Sequence, residues 1–87
     1  MTTMRETIER RLREALSPES LAVEDESSLH AEHGAGGGHY RVRVVAEAFR
    51  GQGLVERHRA VYALFREELK GPIHALALTT LAPGERG

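Results

Sequence analysis

The chain has 87 residues, 40% hydrophobic and 29% charged, with a formal net charge of −1 and no cysteine. One domain of this size buries roughly 60–65% of the surface of its unfolded chain, which gives one modest core and no deep enclosed active site. Disulfides and thiol catalysis are excluded, and no apolar run approaches the roughly 18 residues of a membrane span; without an organellar or secretory leader pattern, a cytoplasmic setting is expected.

A first helix is expected over residues 3–16. Thr3 and Glu6 have the spacing of a capping box, and Ile8, Leu12, Ala15 and Leu16 form an apolar stripe at helical intervals. Ser17-Pro18 ends it, because a residue before proline is pushed out of the helical region. A short strand follows at 20–25. Residues 27–38 read as a loop holding His30, His33 and four glycines, expected to be mobile without a partner. Within it, Gly34-Ala35-Gly36-Gly37 matches the GxxG of nucleic-acid-binding loops only weakly, lacking flanking cations.

Residues 39–48 alternate as a half-buried strand, with Tyr40, Val42, Val44, Ala46 and Ala48 on one face and Arg41, Arg43 and Glu47 on the other. Gly51 and Gly53 flank a turn, with a short extra helical turn near Gln52. A second helix over 55–69 carries the stripe Leu54, His58, Val61, Tyr62, Phe65, Leu69 and ends at Gly71-Pro72. Residues 73–80 form the last strand. Residues 1–83 make one domain, and 84–87 read as a frayed tail. The fold class is α+β: a three-stranded mixed sheet, its first two strands antiparallel and its last two parallel through a right-handed helical crossover, with both helices on one face.

The chemical equipment is mainly histidine, five in all. His74 opens the alternating run Ile73-His74-Ala75-Leu76, where an imidazole is either a sheet-edge residue satisfied by carbonyls or a metal ligand. His58 lies on the apolar stripe and reads as a buried, hydrogen-bonded structural histidine. His39 starts a strand and packs beside Tyr40. Residues 39–59 hold five arginines against two glutamates, a local +3 that suits phosphate or an acidic surface and equally suits solvated faces. Arg57 and Arg59, expected on exposed sides of the helix, and Arg66 beyond them are the candidate contacts for a partner or nucleic acid.

The combination Asp25-Glu26-Ser27, His30, His39-Tyr40-Arg41-Val42, Phe49-Arg50-Gly51, Arg57-His58-Arg59-Ala60-Val61-Tyr62, Glu67-Glu68-Leu69 and Ile73-His74-Ala75-Leu76 resembles the BolA family, in its histidine-loop form, from about Ile8 to Pro83. The resemblance implies an α-β-β-α-(α)-β order similar to class II KH domains. It also implies partnership with a monothiol glutaredoxin in handling a [2Fe–2S] cluster. His74 matches the family's C-terminal ligand. The second ligand would come from the loop, with His30 the better match and His33 the alternative, although either also suits a plain loop residue. Ala46, where relatives often have serine, and the glycine-rich loop depart from the family pattern.

Imidazole can replace thiolate on one iron of such a cluster. A chain without cysteine needs the other ligands from a glutaredoxin and glutathione, so the isolated protein is expected to hold no cofactor. No nucleophile–base–acid motif, carboxylate pair or phosphate-binding glycine motif points to an enzyme. The reading is an adaptor, monomeric or weakly dimeric when alone. A nucleic-acid-binding regulator using the Arg57-to-Arg66 helix stands second, because a net charge of −1 falls short of the basic balance of a dedicated DNA binder.

Overall fold

The structure, a computed structural model, describes residues 2–27 and 38–86; His30, His33 and all but Gly38 of the segment 28–38 expected to be mobile lie outside the described residues. Helix α1 (Met4–Leu16) begins with the expected reciprocal cap: Thr3 Oγ1 accepts from the Glu6 amide, and Glu6 Oε1 accepts from the Thr3 amide. Strand β1 (Ser20–Asp25) pairs antiparallel with β2 (Gly38–Val45), which pairs parallel with β3 (Ile73–Leu81), in the order β1-β2-β3. α1 packs over β1, and α2 (Leu54–Leu64) packs over β3. Ile8, Leu12, Val42, Val44, Phe49, Val61, Phe65 and Ile73 are fully buried between the helices and one sheet face.

Two elements end earlier than their sequence patterns suggest. β2 stops at Val45, and Glu47–Phe49 turns into a 3-10 helix that swings Phe49 into the core. Glu47 and Arg50 clamp that turn at 2.6 Å, and Ala48 is exposed instead of sharing the Tyr40 face. Alanine suits either conformation, so the apparent alternation ran on past the real strand end. α2 stops at Leu64 instead of 69. Arg11 of α1 donates to the Leu64 carbonyl at 2.8 Å and to Glu68 at 2.7 Å, and its guanidinium lies 5.2 Å over the Phe65 ring. The chain then makes a second 3-10 turn at Glu68–Lys70. These two turns take the place of the extra helical pieces expected near Gln52 and after α2.

The face of α2 is also rotated from the expected stripe. Leu54 is 63% exposed and Tyr62 is 38% exposed, while Arg57 is buried beside Val61. A guanidinium can occupy the core-facing position because each of its three nitrogens donates to a partner, four hydrogen bonds in all. Its Nε donates to the Gln52 carbonyl (2.9 Å), Nη1 to the Thr80 carbonyl (3.1 Å), and Nη1 and Nη2 fork onto Glu85 (2.6 and 2.9 Å). Glu85, within the segment expected to fray, also accepts from the Ala82 amide.

Candidate functional site

Parallel pairing brings the starts of β2 and β3 to the same end of the sheet, so His39 and His74 become neighbours although 35 positions separate them in the chain. Their ring centroids are 5.0 Å apart with planes tilted by 44°. The register skips between Gly38, which faces Ile73, and His39, which faces Ala75. His74 is therefore the extra residue of a bulge, exposed at the sheet margin.

The Asp25-Glu26-Ser27 run holds this end together. The Asp25 carboxylate accepts from the Ser27 amide, and the Ser27 hydroxyl first, then that amide, hold its pKa below the ordinary carboxylate value. Ser27 Oγ accepts from the His39 amide at 3.1 Å, and the Glu26 amide donates to the His39 carbonyl at 2.7 Å. The Glu26 side chain also pairs with Arg41 at 3.1 Å. At the far side of the loop, the Gly38 amide donates to the Pro72 carbonyl at 2.7 Å. Gly38 is required here: a Cβ would lie 2.5–2.8 Å from the Tyr40 ring and hydroxyl. Burial of that ring raises the Tyr40 pKa.

His39, which the sequence reading assigned to packing, is the residue that the fold brings beside His74. Its signal was the inference of parallel β2 and β3, which puts the residue after the glycine loop beside the residue after Gly71-Pro72. Among the described residues no group of three or more His, Asp or Glu side chains could hold a metal alone.

The remaining candidates separate. Arg59 and Arg66 are exposed, as a contact surface requires. Arg57, expected exposed, is buried and ion-paired with Glu85, so the +3 stripe loses one member. His58 is half-buried where a buried position was expected, and among the described residues its Nε2 has no hydrogen-bond partner, whereas a paired structural histidine was expected. It meets the edge of the Tyr62 ring, with centroids 6.3 Å apart.

The histidine pair stands on an open sheet margin over a two-helix α+β core. The chain belongs to the BolA family: the family described as BolA-like protein matches residues 12–85. It is 47% identical to an uncharacterised protein of a Sinorhizobium species, over 95% of each chain. Human BolA-like protein 1 is 45% identical over 90% of this chain, which spans 57% of that relative's length. The Escherichia coli DNA-binding transcriptional regulator BolA is 42% identical, over 88% of this chain and 73% of the relative. Among solved structures, the BolA domain of SufE1 from Arabidopsis thaliana superimposes with a TM-score of 0.88 at 38% identity, over 99% of both chains. No helix among the described residues is long and apolar enough to cross a membrane.

Proposed function

We propose that this protein is an adaptor that pairs with a monothiol glutaredoxin and co-ligates a [2Fe–2S] cluster with it, in iron–sulfur cluster trafficking or iron regulation. The observation that carries the reading is the His39–His74 ring pair at 5.0 Å. With metal–nitrogen bonds of about 2.0–2.1 Å, two imidazoles on one tetrahedral ion have centroids about 5 Å apart. The occurrence of this domain in SufE1 supports a setting in iron–sulfur biology. When bound, the cluster would supply electron-transfer or transfer chemistry, and imidazole in place of thiolate raises its reduction potential.

This chain's own contribution is positional. Ser27 and Glu26 pin the His39 backbone, and the bulge presents His74 outside the regular ladder. The reading takes His74 and His39 as the pair, with His30 and His33 as the competing second ligands. Reconstitution with a monothiol glutaredoxin, glutathione, iron and sulfide, followed by visible circular dichroism, tests it. His74→Ala should abolish the heterodimer spectrum while the fold persists. His39→Ala should weaken it more than His30→Ala or His33→Ala, and the reverse order would return the second ligand to the loop. An unchanged spectrum in His74→Ala sinks the proposal.

A second reading, nucleic-acid binding, is favoured by the name of the Escherichia coli relative and by exposed Arg59 and Arg66. It would rest on few phosphate contacts, so affinity should be weak and fall with salt. Tight, sequence-selective binding at physiological salt would reverse the ranking.

A further inference from the structure

At the opposite end of β3 from the histidine pair, a groove of about 550 Å³ runs between α2 and the outer edge of the strand. Leu54, Leu78 and Leu81 supply its apolar lining, with His58, Thr80 and Arg86 among the polar residues. Two buried polar atoms in this lining have no hydrogen-bond partner among the described residues: His58 Nε2, and Oγ1 of Thr80, a residue only 3% exposed. Buried polar atoms are rarely left so, because each forfeits its hydration.

The backbone carries a matching opening. Backbone groups of a strand point alternately to its two sides. The Leu81 carbonyl accepts from the Ala46 amide, so residues of that parity face β2, and Leu76, Leu78 and Thr80 face outward. Side chains of α2 cap two of these carbonyls: Tyr62 OH donates to Leu76 at 3.0 Å, and Arg57 donates to Thr80 at 3.1 Å. Between the caps, the outward N–H and C=O of Leu78 make no hydrogen bond among the described residues and form one open rung, in the same lining as His58.

We propose that this groove docks an extended, acidic segment of a partner protein, which adds to β3 at the Leu78 rung. A donor and an acceptor side by side on a strand edge match a peptide unit, and the leucine walls would take one of its apolar side chains. The caps at Leu76 and Thr80 limit the addition to a single rung. Charge selects the acidic occupant. Glu85 neutralises Arg57, and exposed Arg86 remains as uncompensated positive charge in the lining.

The test is an NMR titration of the full chain with a capped hexapeptide of alternating valine and glutamate. Saturable shifts at Leu54, His58, Leu78 and Thr80 are expected, with Leu78 amide exchange slowed about tenfold. A valine–lysine peptide should bind about tenfold more weakly, as should the acidic peptide to Leu54→Glu, an exposed position where folding is not at risk. Methylating alternate peptide amides should remove the Leu78 protection. His74→Ala should bind the peptide unchanged, which separates this site from the cluster reading. Absence of saturable shifts, or equal binding of both peptides without Leu78 protection, overturns the proposal. So would N-acetylvaline amide binding as tightly as the peptide, which would mark a small-molecule pocket. Concentration-dependent shifts with a dimeric sedimentation mass in the absence of peptide would make a second copy the occupant and equally overturn it.

Discussion

Gly38 and Tyr40 show how closely the histidine end is packed. A methyl at Gly38 would stand 2.5 Å from the Tyr40 ring, which is held in the core and has little room to move. Gly38→Ala should therefore destabilise the protein by about 1–3 kcal/mol, read from urea unfolding. Ala75→Gly, nearby but exposed, should cost about 1 kcal/mol or less. At this scale the sequence was legible for His74, whose place at a strand start follows from Gly71-Pro72. It was less so for His39, because its importance comes from a parallel register that no local pattern encodes. His58 and Arg57 were misjudged for a common reason. Hydropathy ranks a histidine as more core-like than an arginine, but every nitrogen of Arg57 donates to a nearby carbonyl or to Glu85, whereas His58 Nε2 finds no partner among the described residues.

Among the elements, the C-terminal turn does more than its composition suggests. Pro83-Gly84 reads as a frayed end, yet Glu85 returns to Arg57, and that ion pair with the Ala82 amide holds the Glu85 pKa near 2, against an ordinary 4.5. A depressed carboxylate pKa contributes stability above the unfolded-state value, and the contribution disappears as pH falls through 4.5 toward the folded value. The unfolding midpoints of the parent and Glu85→Gln should thus differ near neutral pH and converge in acid; a gap independent of pH would deny the linkage. Arg11 governs the other misread boundary. Arg11→Ala frees the Leu64 carbonyl and Glu68, and should cost about 1 kcal/mol after allowance for its partial exposure, measured by denaturant unfolding. The Thr3–Glu6 cap, by contrast, was readable residue by residue, because all its parts lie within one turn.

For the molecule as a whole, topology was more legible than element ends. The antiparallel and parallel pairings follow from a loop in one connection and a helix in the other, whereas the ends of β2 and α2 depend on side chains from elsewhere in the fold. The core is a single cluster spanning both helices and all three strands, so a large cavity in it should be felt everywhere. Phe65→Ala should cost about 3–5 kcal/mol and leave one cooperative transition by fluorescence-independent probes such as far-ultraviolet circular dichroism. The caps on the outer carbonyls of β3 bear on solubility. A nine-residue strand with a bare edge is a template for recruiting another strand, and a peptide-binding groove on such an edge would ordinarily invite aggregation. Tyr62 and Arg57 interrupt that edge at Leu76 and Thr80, leaving a gap too short to nucleate a growing sheet. By the same argument, removing both caps would restore the continuous bare edge that strand recruitment requires.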